Sequence, residues 1–116
     1  MRLADLAASQ AEADELCARI RNTRAAQAEP FPFSARDDFF RSLRSGRCRA
    51  AVIAPGDSAG FLAARRLREL DGRCPILLID DTERYALQCV RIHVTCFLVR
   101  PVSDEQLRRG VTLLLE

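Results

Sequence analysis

Short apolar runs alternate with stretches of helical periodicity along the whole chain, and this alternation constrains the fold more than any other feature. Residues 50–54 are apolar without alternating between two faces, which is typical of a strand covered on both sides in a parallel sheet. Similar strand-like runs occur at residues 3–7, 76–79 and 96–99. A further short run, Phe31-Pro32-Phe33, contains a proline that cannot donate to a β-ladder, so we predict it at a sheet edge.

The segments between these runs carry apolar residues at helical spacing. Capping-box patterns at residues 9–12 and 103–106 predict the first helix, over about residues 10–26, and the last helix. Ser34 and Asp37 are predicted to open the second helix, and Gly46 to end it. The predicted buried positions of the five helices are Ala13, Leu16, Cys17 and Ile20; Phe39, Phe40 and Leu43; Ala63, Leu67 and Leu70; Tyr85, Cys89 and Ile92; and Leu107, Val111 and Leu114.

Five strands alternating with five helices indicate an α/β domain with a doubly wound parallel sheet and helices on both faces. With the proline-containing second strand at an edge, the simplest right-handed winding is the flavodoxin-like strand order 2-1-3-4-5. The 116 residues suffice for one such domain, spanning 1–116. Any ligand is then expected outside the carboxyl ends of strands one and three, at residues 7–8 and 54–55.

Composition excludes several functions. All 18 basic residues are Arg, so a P-loop lysine, a Schiff-base lysine and a lysine general base are absent. The formal charge of +2 does not by itself indicate nucleic-acid binding. No apolar run approaches the roughly 20 residues that span a bilayer, and no secretory signal pattern is present, so we expect a cytoplasmic protein.

The five cysteines, Cys17, Cys48, Cys74, Cys89 and Cys96, predict neither a disulfide framework nor a zinc site. They contain no C-x-x-C pair, and we interpret those in apolar patterns as small buried hydrophobes. Cys89 and the single histidine, His93, have helical spacing, but nothing in the sequence orients them for nucleophilic catalysis. We therefore expect no metal, no cofactor and no enzymatic activity.

Three stretches of the second half of the chain carry a family resemblance. Residues 74–79, 85–87 and 97–102 are similar to the fourth strand, fourth helix and fifth strand, with its Lys-Pro turn, of bacterial response-regulator receiver domains. The resemblance is closest to the receivers that precede LytTR-type DNA-binding domains, and it extends over essentially the whole chain. It implies a module of two-component, phosphorelay signal transduction.

The same resemblance implies that the phosphoryl-transfer residues are missing. The family's Mg²⁺-binding acidic pair falls on Ala7 and Ala8, and its phospho-accepting Asp falls on Ala54. Its Thr or Ser position holds Asp80, and its Lys position holds Arg100. Alanine supplies neither a nucleophile nor an oxygen ligand for Mg²⁺, so we expect a degenerate receiver, or pseudo-receiver.

Two other carboxylates remain open as substitutes. Asp57 lies in the loop after the third strand, where we interpret it as a helix cap or a solvated turn residue. Asp5 lies within the first strand; if it is buried it needs a partner, for which Arg100 and Arg2 are the candidates.

We expect a protein-interaction module that forms a homodimer through the face made by the fourth helix, fifth strand and fifth helix, as the resemblance implies. The residues proposed for that interface are Arg84, Tyr85, Arg91, Phe97, Asp104 and Arg108. DNA binding is expected only through a C-terminal domain beyond Glu116, although a stand-alone docking protein is the alternative. Two other functions stay open: a small ligand- or anion-binding module that uses residues 56–60, and a receiver phosphorylated at a relocated Asp.

Asp80 and Arg100 follow neighbouring predicted strands, so we expect them to form an ion pair across the mouth of the site. Such a pair would hold the loops in one arrangement. The alternative is that Asp80 caps the fourth helix while Arg100 is solvated. The family resemblance implies a cis peptide bond between Arg100 and Pro101.

Overall fold

The computed structural model describes residues 1–25 and 27–116. Strands and helices alternate strictly along the chain, as the sequence predicts. The elements are β1 Arg2–Leu6, α1 Gln10–Asn22, β2 Glu29–Phe33, α2 Arg36–Arg44, β3 Ala50–Ile53, α3 Asp57–Leu70, β4 Ile76–Asp80, α4 Ala86–Arg91, β5 Cys96–Val99 and α5 Asp104–Leu115.

The five strands form one parallel sheet in the order β2-β1-β3-β4-β5. This confirms the predicted flavodoxin-like topology and places the proline-containing strand β2 at one edge. β5 forms the other edge, so its residues are half-buried rather than fully buried as predicted. The carboxyl ends of β1 and β3 lie side by side at the centre, with Leu6 opposite Ile53.

The core consists of two apolar clusters, one on each face of the sheet. One cluster joins β-strand residues such as Leu6, Ile53 and Leu78 to α2, α3 and α4. The other joins Leu3 and Val52 to α1 and α5. Because adjacent strand residues point to opposite faces, a residue's parity along its strand decides which helical layer its side chain meets.

Several element boundaries differ from the prediction. α1 ends at Asn22, whereas its predicted end at Ala26 lies outside the described residues. α2 begins after Ala35, whose side chain cannot cap it, so Ser34 does not open the helix as predicted. α4 is only six residues long, with Tyr85 just before it and Ile92 just after it. The capping box of α5 is confirmed, with Ser103 and Gln106 bonded reciprocally.

One predicted core position is wrong: Leu70, in the last turn of α3, has 47% of its surface exposed. None of the helices in the described part of the chain has the length and apolar character needed to cross a membrane.

Candidate functional site

A cleft of about 640 Å³ opens at the carboxyl ends of the central strands. Its floor is formed by three small residues, Ala7, Ala8 and Ala54, at the ends of β1 and β3. Asp81 and Arg100 line it beside β4 and β5. The structure thus brings together the predicted positions Ala7, Ala8, Ala54 and Arg100 at one site. Asp80 precedes Asp81 in the sequence, but it does not line the cleft.

Asp80 is buried and serves as a backbone anchor between two loops. One of its carboxylate oxygens accepts hydrogen bonds from the backbone N–H of Asp57, at 2.9 Å, and of Asp81, at 2.7 Å. Asp57 is the first residue of α3, so the carboxylate satisfies one of the unpaired donors at that helix N-terminus. Asp80 therefore holds the start of α3 against the end of β4.

Arg100 bonds to Asp81 and not to Asp80, so the predicted Asp80–Arg100 ion pair is wrong. Its guanidinium donates to Asp81 Oδ1 at 3.1 Å and to the backbone carbonyl of Ala54 at 2.6 Å. The sheet register explains the difference, because Asp80 lies opposite Val99 and Arg100 therefore lies opposite Asp81. Asp80 lies two residues after Leu78, so its side chain is on the same face of the sheet as α3, whereas Arg100 is on the face of α1 and α5.

The alternative interpretation of this pair is also wrong. Asp80 caps α3 and not α4, and Arg100, although its side chain is 40% exposed, bonds to two partners. The peptide bond between Arg100 and Pro101 is cis, as predicted. Together, Asp80 and Arg100 connect the loops that follow β3 and β4 with the end of β5.

Gly56 permits the close approach of two of these loops. Its φ is +80°, a conformation that other residues rarely adopt, and a Cβ atom placed there would lie 2.8 Å from Asp81 Oδ2. The next residue, Asp57, also has a positive φ, of 54°. The tight turn at Gly56 thus leaves Asp81 room to accept from Arg100.

The carboxylate of Asp57 does not replace a missing acid. It is 84% exposed, its nearest cation is Arg84 at 4.0 Å, and it does not line the cleft. Asp57 is thus solvated as predicted, but it is the first residue of α3 rather than a turn residue, and the predicted cap is wrong because Gly56 is the N-cap.

Asp5 lies within β1, one residue before its end, and is completely buried. Its partner is Cys17 of α1, whose Sγ–H donates to Oδ2 at 3.0 Å, and neither Arg100 nor Arg2 pairs with it as expected. Its other oxygen, Oδ1, has no hydrogen-bond partner among the described residues. Burial raises the pKa of Asp5 to about 7, although the Cys17 bond and the charge of Arg21 lower it. Asp5 belongs to the α1 interface and does not line the cleft.

The donor set of the cleft does not fit the Mg²⁺ site that the family resemblance implies. Its acidic lining residues are Glu12, Glu15 and Asp81, and Asp81 already accepts from Arg100. Within the described ranges, no three acidic, His or Cys side chains are grouped closely enough to hold a metal ion. Hard cations need several oxygen ligands, and the floor of this cleft offers methyl groups.

The Cys89 and His93 side chains form no nucleophilic pair. Cys89 is buried in α4, and burial raises the pKa of its thiol to about 11. His93 is exposed in the turn after α4. A buried thiol with a raised pKa is a poor nucleophile.

The predicted interface residues surround the edge strand β5, with α4 and α5 packed on opposite faces of the sheet. Arg84, Arg91 and Arg108 are exposed, but Arg108 is already bonded to Glu105, and Asp104 is bonded to Arg19. The Tyr85 ring stacks on Phe61 of α3, with centroids 5.0 Å apart, and Phe97 packs into the core beside α4.

Sequence reasoning missed the two most exposed apolar side chains of this face. Leu87 and Val90 of α4 are 61% and 69% exposed. They lie on successive turns of a helix whose one fully buried residue is Cys89. The position of Cys89 as the buried anchor was available from the sequence, and Leu87 and Val90, which point away from it on the helical wheel, could have been predicted to face outward.

No protein-family model matches the chain, and no curated protein matches it. Solved structures do. A response-regulator receiver domain protein from Clostridium thermocellum superposes with a TM-score of 0.81 at 8% identity, over 98% of this chain and 94% of that one. The response regulatory domain of protein mrkE from Klebsiella pneumoniae gives 0.79 at 17% identity, over 99% and 95%.

A DNA-binding response regulator of the LuxR family from Staphylococcus aureus also gives a TM-score of 0.79, at 12% identity, over 99% of this chain and 98% of that one. These identities show a shared fold. The chain therefore has the receiver-domain fold of two-component response regulators, and the cleft lies where the carboxyl ends of β1 and β3 meet.

Proposed function

We propose that this chain is a pseudo-receiver: a receiver-like domain, closest to those of LytTR-type regulators, that neither accepts a phosphoryl group nor binds Mg²⁺ and acts as a protein-interaction module. It is then not an enzyme. It would act in cytoplasmic signal transduction or transcription regulation, with any DNA contact made by a further domain.

The bonding of Arg100 is the observation that carries this proposal. Its guanidinium reaches the carbonyl of Ala54, at the position where the resemblance places the phospho-accepting Asp, and also binds Asp81. Asp80 is occupied by two backbone N–H groups. The loops around the site are therefore held together by internal bonds, with no nucleophilic carboxylate at their centre.

The anion-binding alternative is not favoured by the geometry. The N–H of Asp57, at the start of α3, is one of the donors that such a site would use, and it donates to Asp80. An internal carboxylate thus already occupies that donor of the helix N-terminus.

The α4–β5–α5 face supports a role in association. Leu87 and Val90 expose adjacent apolar surface, with Arg91 beside them. Exposed apolar surface of this kind, rimmed by charged residues, is typical of protein interfaces. A two-fold homodimer would bury these side chains on both copies.

Phosphorylation is tested by incubating the protein with acetyl phosphate and Mg²⁺, followed by intact-mass spectrometry. We expect no phosphoryl adduct, with an ordinary phosphorylatable receiver domain treated in parallel as the positive control. An adduct on any Asp, or Mg²⁺-dependent NMR shifts at residues 7–8 and 54, would contradict the proposal.

Dimerisation is tested by sedimentation velocity at micromolar concentration. We expect the protein to dimerise and Leu87→Ser or Arg91→Glu to weaken the dimer. Leu70→Ser is the matched control, since this leucine is similarly exposed but belongs to α3. A monomer under these conditions, or a dimer unchanged by both α4 substitutions, would exclude this interface.

A further inference from the structure

A second exposed surface lies between α2 and α3, away from the edge strand β5. Arg36, Phe40 and Arg44 follow one another at four-residue spacing along α2 and so share one face of that helix. Arg66 and Leu70 have the same spacing on α3. Together with Asp37 and Arg41 of α2, these five residues line a groove between the two helices, which we call the α2–α3 groove.

The groove continues past the ends of both helices. It comprises two adjoining cavities of about 440 and 400 Å³, and Arg44 and Leu70 line both of them. The second cavity adds Leu43, Leu67 and Arg49. Since α2 has nine residues, the groove extends along about 13 Å of helix.

The apolar part of the groove is accessible. Leu70, at 47% exposed, is one of the most exposed apolar residues of the described chain, and Phe40 is half-buried. Exposure of these side chains to water is unfavourable, and a partner that covers them gains about 25 cal/mol for each Å² buried.

The charges around this groove are strongly biased. Residues 36–73 contain nine Arg and five acidic residues, whereas the rest of the chain contains nine Arg and eleven acidic residues. The segment that contains the groove is thus positive while the remainder is negative, and the two cavities themselves are lined by five Arg and two Asp residues.

The two arginines at the α2 rim are available to a partner. Among residues 1–25 and 27–116, no carboxylate lies within ion-pair distance of Arg36 or Arg44, whereas Arg41 pairs with Asp38 and Arg66 with Glu69. The Arg36 guanidinium lies 5.7 Å from the centre of the Phe40 ring, which keeps it at the rim.

We propose that the α2–α3 groove binds an acidic amphipathic helix of a partner protein. The apolar side chains of such a helix cover Phe40 and Leu70, and its carboxylates pair with Arg36 and Arg44. Nucleic acid fits less well, because its phosphate backbone would meet the arginines but leave the apolar floor uncovered. This proposal does not depend on the phosphorylation state or on the α4–β5–α5 face.

The test uses the whole chain and a fluorescein-labelled 14-residue peptide with Leu and Glu at helical spacing, measured by fluorescence anisotropy. A peptide of the same composition in scrambled order controls for charge alone. We expect Arg44→Glu and Leu70→Ser each to weaken binding of the amphipathic peptide about tenfold or more, and the scrambled peptide to bind at least about tenfold more weakly.

Matched substitutions on other faces distinguish this groove from general charge and from the proposed dimer interface. Arg109→Glu on α5 and Leu87→Ser on α4 are expected to leave peptide affinity unchanged. Circular dichroism confirms that each variant is folded, and Arg44→Ala replaces Arg44→Glu if the reversal unfolds the chain. Weaker binding at higher salt is also expected.

Three results would overturn the proposal. Equal binding of both peptides would show attraction by charge alone. Binding of a double-stranded oligonucleotide that Arg44→Glu abolishes, without peptide binding, would assign the surface to nucleic acid. Self-association abolished by Arg44→Glu but not by Leu87→Ser would assign it to a second copy of this chain.

Discussion

Two aspartates, Asp5 and Asp80, are buried in this sheet, and they differ in the hydrogen-bond donors around them. Asp80, at the end of β4, accepts two backbone N–H groups from the loops around it. Asp5, inside the paired part of β1, has one thiol donor and one oxygen without a partner among the described residues. The comparison shows that strand ends, where loops expose free N–H groups, accommodate a buried carboxylate, whereas a strand interior has already used its N–H groups in the sheet.

The largest expected effect concerns Asp5 and pH. Its pKa is about 7 in the folded chain against an ordinary value of 3.8, so folding takes up a proton between these values. The protonated carboxyl stabilises the fold fully below about pH 4, and this contribution is lost as the pH rises through 7. Relative to Asp5→Asn, which does not titrate, the free energy of unfolding is expected to fall by on the order of 3 kcal/mol between pH 4.5 and 7.5.

Urea denaturation of the parent chain and of Asp5→Asn across this pH range measures that difference. Because both proteins contain the same other titrating groups, subtracting one curve from the other removes their contribution. Parallel stability curves for the two proteins would show that Asp5 does not take up a proton on folding.

Removal of the Asp80 carboxylate is the next largest effect. Asp80→Ala leaves the N–H groups of Asp57 and Asp81 without their acceptor, and we expect a loss of about 2 kcal/mol in the free energy of unfolding. Asp80→Asn keeps an acceptor oxygen and is expected to lose about half as much. Hydrogen exchange at the amides of residues 57 and 81 is expected to accelerate in the alanine variant; unchanged exchange there would contradict the anchor role.

Arg100 ties the same loops together from the other face of the sheet, with a smaller expected effect. Its side chain is 40% exposed, so the bond to Asp81 is screened by solvent. We expect Arg100→Ala to cost about 1 kcal/mol, mainly through the bond to the carbonyl of Ala54. Arg100→Lys, which cannot make both bonds in the same planar geometry, is expected to lose the Asp81 contact, visible as faster hydrogen exchange after β4. If the amides after β4 exchange as slowly in Arg100→Lys as in the parent chain, Arg100 does not hold these loops together.

The fold was predictable because its signals are periodic. The unbroken apolar run in β3, the proline in β2 and the capping box at Ser103 each act locally, and each led to the observed element. The prediction of an Asp80–Arg100 ion pair was wrong because it depended on the exact register between β4 and β5. Neighbouring strands alone did not reveal that Asp80 lies opposite Val99.

The partner of Asp5 could not be predicted for a related reason. Contact between β1 and α1 depends on how the helix packs across the sheet, and the sequence shows only that Cys17 lies on the buried face of α1. Arg2 and Arg100 were reasonable candidates by charge. Asp5 instead bonds to a thiol, because Cys17 of α1 packs against the strand at this position and carries a small side chain with a weak donor.

The smallest expected effect comes from strengthening that weak donor. Cys17→Ser replaces the thiol with a hydroxyl, which donates a stronger hydrogen bond to Asp5 Oδ2 and so stabilises the charged carboxylate. The pH at which the Asp5 contribution is lost is therefore expected to move to lower values, changing the relative stability by about half a kcal/mol at pH 7. Cys17→Ala, which removes the donor, is the opposed control and is expected to move that pH upward. Urea denaturation of both variants across pH 4.5 to 7.5 gives the two shifts, and movement in the same direction would show that the thiol fills space beside Asp5 without donating to it.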